Sequence, residues 1–90
     1  MKREELAEID PKILTADGFD EALIGYVDGW VPAEGGGVTQ GTRALYDRTK
    51  CIAVLMKRDG MTEEEAEEFF EYNVIGAYMG PMTPMFASLS

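Results

Sequence analysis

Residues 47–73, with the sequence DRTKCIAVLMKRDGMTEEEAEEFFEYN, predict two helices joined by a tight turn. The first helix is predicted over 48–59, with Asp47 as its N-cap and one apolar face at helical spacing. That face consists of Cys51, Ile52, Leu55 and Met56. Gly60 supplies the left-handed residue that ends many helices, and Met61 is placed to fold back as its apolar contact.

The second helix is predicted over 62–76, and its two long faces differ in character. Thr62 and Glu65 have the spacing of a capping box, in which each side chain bonds the backbone N–H of the other residue. The stripe expected to face the core holds Ala66, Phe69, Phe70, Asn73 and Ala77, with the asparagine as its polar exception. The opposite face is a row of glutamates: Glu63, Glu64, Glu67, Glu68 and Glu71.

The chain on either side of the helix pair predicts the strands of a small sheet. Residues 21–31 mix β-branched and aromatic side chains in rough alternation, and Pro32 closes this strand. Residues 32–42 contain four glycines and predict a flexible loop. A short second strand is expected at 44–46 and a short last strand at 84–87.

These elements together predict an α+β fold in a single domain over residues 1–90. Two or three antiparallel strands pack against the helix–turn–helix pair at about 48–59 and 62–76, and a short helix is expected at 2–9. Ninety residues is the size of one domain with a small core.

The charge balance argues against several classes of function. The chain carries 8 basic and 17 acidic side chains, for a formal net charge of −9. That charge opposes binding to a nucleic-acid backbone and to anionic membrane surfaces, because both require basic residues. The sequence has no long apolar run and no apolar segment after its first residues, so we expect a cytoplasmic protein.

The absence of histidine narrows the chemistry further. Histidine is the usual general base near neutral pH and the commonest metal ligand, so Ser-His and Cys-His catalytic pairs are excluded. The single cysteine, Cys51, cannot form an internal disulfide and is expected in the core. We therefore expect a protein that is not an enzyme and holds no cofactor.

Two weaker patterns partly match known kinds of ligand site. Gly36 and Gly41 have the spacing of a phosphate-binding loop, but Thr42 stands where that loop requires lysine, so a mobile loop is the favoured interpretation. Three neighbouring acids are weak candidates for a divalent cation site, although turn and capping roles explain the aspartates more simply. These acids are Asp17, Asp20 and Glu21.

Several motifs occur in a recognisable order along the chain. They are ADGFDEALIG (16–25), YD (46–47), LMKRDGM (55–61), EEAEEFFEYNV (64–74), GA (76–77) and TPMF (83–86). In these motifs the chain resembles a family of small acidic proteins encoded mostly by bacteriophages and prophages. Residues 31–43 depart from the shorter connection typical of that family. The resemblance implies a phage setting, and with it the bacterial host cytoplasm, and assigns no activity and no functional residue.

The charge is also segregated along the chain, which favours an interaction protein. Residues 43–58 hold five basic side chains and Asp47, net +4, whereas residues 62–71 hold six glutamates, net −6. The favoured hypothesis is a non-enzymatic phage accessory protein whose acidic surface binds or inhibits a basic, nucleic-acid-handling protein. The predicted interaction residues are Glu63, Glu64, Glu67, Glu68, Glu71, Tyr78, Met79, Met82 and Met85. The alternatives are a carboxylate-based metal or ligand-binding protein and a structural protein that self-associates through residues 78–86.

Overall fold

The computed structural model describes residues 1–76, 80 and 82–88 of the chain. It contains three α-helices and three strands, with a 3-10 turn at Asp20–Ala22 and a π-helical turn at Glu71–Ile75. In chain order the elements are α1 (Arg3–Ile9), β1 (Leu23–Pro32), β2 (Val38–Asp47), α2 (Arg48–Asp59), α3 (Glu63–Phe70) and β3 (Met85–Ala87). The predicted small α+β fold with a short N-terminal helix is confirmed.

The three strands form one mixed sheet in the order β1-β2-β3. β1 and β2 are antiparallel, as expected, whereas β3 runs parallel to β2, with Leu45 paired to Met85. The expectation of antiparallel strands alone is therefore wrong for β3. The reason is the path of the chain beside β2, where Arg43 donates from Nε to the backbone oxygen of Thr83 at 2.6 Å. That segment continues in the direction of β2 and joins the sheet without a hairpin turn.

The β1–β2 hairpin is longer than the sequence predicted. β2 begins at Val38, so only residues 33–37 connect the two strands, and part of the predicted 32–42 loop is strand. Gly35, Gly36 and Gly37 all have positive φ angles, of 84°, 102° and 73°, and reverse the chain within this short loop. The β-branched residues that follow then pair with β1, since they suit a pleated strand.

The ends of α2 and α3 match the predicted signals. The side chain of Asp47 accepts a hydrogen bond from the backbone N–H of Lys50 at 3.3 Å, and Gly60 adopts the left-handed conformation with φ of 67°. Thr62 and Glu65 form the expected capping box. The regular part of α3 ends at Phe70, and the π-helical turn carries the chain on to Ile75. A helical conformation therefore extends to the end of the predicted 62–76 span.

An aromatic cluster connects the sheet to the helices. Tyr46 stacks on Phe86 with ring centroids 5.3 Å apart, and Phe70 meets Phe86 edge-to-face at 5.1 Å. Phe19 meets Phe70 in the same manner at 6.2 Å. Other buried apolar side chains complete this core: Leu6, Ala22, Leu23, Ala44, Cys51, Ile52, Leu55 and Ala66. Met56 and Phe69, both expected on buried faces, are instead 38% and 37% exposed.

The helices cover only the base of the hairpin, so its outer half extends beyond them. The molecule measures 42 × 26 × 23 Å, and its radius of gyration of 13.8 Å exceeds the roughly 12 Å expected for a compact domain of this length. On β2 the face that buries Ala44 and Tyr46 continues outward without a helix over it. We call this outer surface the ribbon face: Tyr26, Asp28, Trp30, Val38, Gln40 and Thr42.

The opposite face of the hairpin is partly covered by the segment that precedes β3. A side chain built at Gly41 would meet the sulfur of Met82 and a methyl group of Val31 at under 3 Å, so these groups lie directly over the glycine. Val31 is 6% exposed as a result. The two faces of the hairpin therefore differ, with one packed against the chain and the other open.

Candidate functional site

The outermost line of α3 carries carboxylates that end at an exposed aromatic ring. Glu64, Glu68 and Tyr72 are spaced four residues apart, which places them above one another along the helical segment. This line lies opposite Ala66 and Phe70, which are fully buried. Both glutamates are exposed, and Tyr72 is 84% exposed. The line therefore offers negative charge and an aromatic surface together.

Residues on one flank add apolar area and fixed hydrogen bonds to this line. Glu65 and Phe69 line a shallow depression beside Glu68 and Tyr72, together with Met61 and Asn73. The Asn73 amide, expected on the buried stripe, is exposed and donates to the backbone oxygen of Phe69 at 3.2 Å. Hydrogen bonds from Thr62 lower the pKa of Glu65. We call Glu64, Glu65, Glu68, Phe69 and Tyr72 the α3 face.

The arginines near α3 leave most of its negative charge uncompensated. Arg48 approaches Glu71 at 3.6 Å and lies over the ring of Phe70, 5.7 Å from its centroid. Arg58 donates to the backbone oxygen of Gly18 at 2.8 Å instead, on another side of the molecule. Within the described part of the chain, Glu71 is the one glutamate of α3 and its π-helical turn in a salt bridge. Among the same described residues, no salt bridge involves Glu63, Glu64, Glu67 or Glu68.

The lysines of α2 belong to a different surface. Lys50 and Lys57 line a shallow depression with Glu21, Ala53 and Val54. Neither lysine lines the depression beside Glu68 and Tyr72, whereas Arg48 reaches Glu71, so the charge segregation read from the sequence is a separation in space for the lysines only. The charged side chains of the α3 face itself are all carboxylates, which favours steering of a basic partner toward this face.

The three acids considered as a cation site do not form one. Asp17 and Asp20 both contact the guanidinium of Arg3, at 3.3 Å and 2.9 Å. Glu21 lines the lysine depression instead. Among residues 1–76, 80 and 82–88, no group of three or more acidic or cysteine side chains is arranged to hold a metal ion. The aspartates instead attach α1 to the turn before β1.

Neither the glycine loop nor the cysteine has the features of a reactive site. Gly36 lies in the hairpin turn, whereas Gly41 lies inside β2, and no helix follows the loop. Cys51 is fully buried, and burial, together with the nearby charge of Asp47, raises the pKa of its thiol to about 12. A thiol with so high a pKa is not a nucleophile near neutral pH. The expectation that Cys51 is a core residue is confirmed.

The best-defined cleft lies on the side of the aromatic cluster. It has a volume of about 190 Å³, and its lining residues are Thr15, Ala16, Asp17, Phe19, Asn73, Val74, Thr83, Pro84 and Phe86. Its one ionisable side chain, Asp17, is 94% exposed and paired with Arg3. The described lining therefore offers no desolvated acid or base for catalysis.

The predicted interaction residues of the C-terminal segment separate into two groups. Tyr78 and Met79 lie outside the described residues. Met82 packs over Gly41, and Met85 pairs with Leu45 in β3, so both are partly buried in the domain itself. The predicted interaction residues do not include Tyr72, although its spacing of eight residues from Glu64 places it on the acidic line. Trp30, 74% exposed on the ribbon face, was read only as a strand residue.

Comparison with known proteins adds no relative to this description. The chain matches no protein-family model, no curated protein and no solved structure. In the described part of the chain, no helix has the length and apolar character that crossing a membrane requires.

Proposed function

We propose that this chain is a non-enzymatic binding protein whose α3 face engages a basic protein. The observation that carries the proposal is the exposed line of Glu64 and Glu68 ending at Tyr72, which is 84% exposed. Carboxylates attract lysine and arginine side chains over a distance, and an aromatic ring adds a cation–π contact once they arrive. An exposed tyrosine also supplies apolar contact area, which charge alone does not.

The charge density of this segment supports a partner that otherwise binds nucleic acid. Residues 63–71 carry six glutamates. Over a helical length of about 13 Å this is about one negative charge per 2 Å. Double-stranded DNA carries about one per 1.7 Å of its axis. The α3 segment therefore competes with DNA for the same basic cleft. The chain as a whole resembles acidic phage proteins in its sequence motifs. That resemblance supports the bacterial host cytoplasm as the place where this competition occurs.

Displacement from DNA tests this function directly. Bacterial proteins retained on a double-stranded DNA resin are washed with the purified chain, and the released basic proteins are measured at several salt concentrations. We expect the natural chain to release a discrete set of proteins at low salt and to lose this effect as salt screens the carboxylates.

A matched pair of variants separates the α3 face from net charge. The double variant Glu64→Gln and Glu68→Gln and the double variant Glu4→Gln and Glu8→Gln both have a formal charge of −7, from −9 plus two. The control acids are exposed and lie on α1. We expect only the first variant to lose displacement. Equal loss in both, or no displacement by the natural chain, contradicts the proposal.

A further inference from the structure

The ribbon face exposes three large apolar side chains for which the α3 face gives no role. Trp30 is 74% exposed, Val38 is 66% exposed and Tyr26 is 42% exposed. They lie on one side of the hairpin, since Trp30 pairs with Gln40, Tyr26 pairs with Ala44 and Val38 pairs with Pro32 in the antiparallel register. Exposed tryptophan beside a β-branched residue is typical of a protein contact surface.

We propose that two copies of this chain associate through their ribbon faces. The first support is charge. Asp28 is the only charged residue of the ribbon face, and its carboxylate accepts a hydrogen bond from the Thr42 hydroxyl at 2.6 Å. The chain as a whole carries −9. Contact through α1 or α3 brings rows of glutamates together, whereas contact through the ribbon face brings together surfaces that are nearly neutral.

The second support is shape. The helices cover the base of the hairpin, where Ala44 and Tyr46 are fully buried, and leave its outer half open on the same side. At the inner edge of the ribbon face the helical layer stands about 10 Å above the sheet, so the sheet and the helices together form a step. Two such steps related by a two-fold axis are self-complementary, because each hairpin fills the step of the other copy.

The size of the exposed surface indicates which class of interface it can form. A fully exposed aromatic side chain has an area of about 150–250 Å². Multiplied by the exposed fractions given above, the side chains of Trp30, Tyr26 and Val38 together expose about 400 Å² per copy. Two copies then bury about 800 Å² in these side chains, below the roughly 1,200 Å² of stable complexes. The proposed dimer is therefore weak and reversible, as small transient interfaces are.

The chain contains a built-in reporter, because Trp30 is its single tryptophan. Sedimentation and tryptophan emission are measured together from about 1 µM to about 1 mM. We expect the mass to rise toward that of a dimer while the emission shifts to shorter wavelength as Trp30 leaves water. Added salt strengthens the association because it screens the repulsion between the two −9 chains. This response is opposite to the one expected for the α3 face, so the two proposals fail separately.

Three variants locate the contact. Val38→Asp keeps the tryptophan and adds a carboxylate to the ribbon face, so we expect a monomer with long-wavelength emission at every concentration. Trp30→Ala is expected to remain monomeric as well, and circular dichroism confirms that both variants are folded. Tyr72→Ala, on the α3 face, is expected to associate as the natural chain does.

Two results overturn the proposal. One is a dimer that persists in both ribbon-face variants, since the contact then lies elsewhere. The other is a natural chain that stays monomeric at every concentration and salt. If its emission then shifts only when a basic protein is added, the ribbon face binds that protein and not a second copy.

Discussion

The hydroxyl oxygen of Tyr46 accepts a hydrogen bond from the backbone N–H of Ala16 at 2.9 Å, across thirty residues of chain. Tyr46 is fully buried between the sheet and the helices. The bond therefore attaches the segment before β1 to the centre of the core, beside the aromatic stack with Phe86.

Tyr46→Phe removes this acceptor and leaves the amide of Ala16 without its partner. We expect a loss of about 1–2 kcal/mol in the free energy of unfolding, measured by urea denaturation followed by circular dichroism. Tyr26→Phe is the control, because Tyr26 is 42% exposed and its hydroxyl can bond water. Equal effects of the two substitutions would show that the Ala16 bond contributes nothing specific.

The buried thiol of Cys51 is expected to make the folded protein less stable in alkaline solution. Burial raises the pKa of its thiol from 9.0 to about 12. Above pH 9 the unfolded chain releases this proton and the folded chain keeps it, so stability falls as pH rises toward 12, by at most about 1.4 kcal/mol per pH unit. Below pH 9 this contribution is fully present.

Replacing the thiol tests that slope. Cys51→Ala is expected to flatten the fall of the unfolding free energy between pH 9 and pH 12, although a cavity lowers stability at all pH values. Burial also raises the pKa of Tyr46, so part of the alkaline loss persists. An unchanged slope in the variant would mean that the thiol titrates normally in the folded chain.

Gly41 and Gly29 face each other in the β1–β2 register but differ in what surrounds them. A methyl group on Gly41 meets Met82 and Val31 at under 3 Å, whereas one on Gly29 meets nothing within 4 Å. We expect Gly41→Ala to cost about 1–3 kcal/mol, since the buried Val31 has little room to move. Gly29→Ala is expected to be neutral or stabilising, because alanine loses less backbone entropy than glycine. Thermal melting of both variants measures the difference, and similar melting temperatures would contradict the packing of Met82 on the hairpin.

Thr62 is expected to contribute to the stability of α3 through its cap. Its side chain accepts a hydrogen bond from the backbone N–H of Glu65 at 3.2 Å. Thr62→Ala should lower the free energy of unfolding by about 1 kcal/mol, as seen for other N-caps. Thr49→Ala, at an exposed position in the first turn of α2, is the control for the loss of a threonine and is expected to change stability little. Denaturant midpoints compare the two, and a neutral Thr62→Ala would show that the box does not hold the helix start.

The helix pair was predictable from local chemistry, whereas the sheet was only partly so. Asp47, Gly60 and the Thr62–Glu65 box each act within a few residues, and the structure contains all of them. The direction of β3 depends on Thr83 and Met82 meeting β2 some forty residues away, and no local pattern encodes that meeting. The length of β2 was underestimated because Gly41 was read as a loop residue, although it lies in a strand whose neighbours pair with β1.

The candidate surfaces followed the same division. The glutamate row of α3 was predicted from helical periodicity, and the structure places most of its members outward. Trp30 was harder to interpret, because a strand pattern shows which residues share a face and not how far the helices cover that face. How far the helices cover the hairpin depends on the lengths of α2 and the hairpin together. The exposure of Trp30 is therefore visible only in the three-dimensional arrangement.

The pairing of β3 with β2 also determines the order in which the fold can assemble. The hairpin and the α2–α3 pair join neighbours in the chain and close short loops, which form in microseconds. Residues 45 and 85 must meet across the whole helix pair, and Phe86 completes the aromatic cluster only then. Closing this longer loop costs more entropy. We therefore expect the docking of β3 to be the slow step of folding, with the hairpin and the helix pair formed before it.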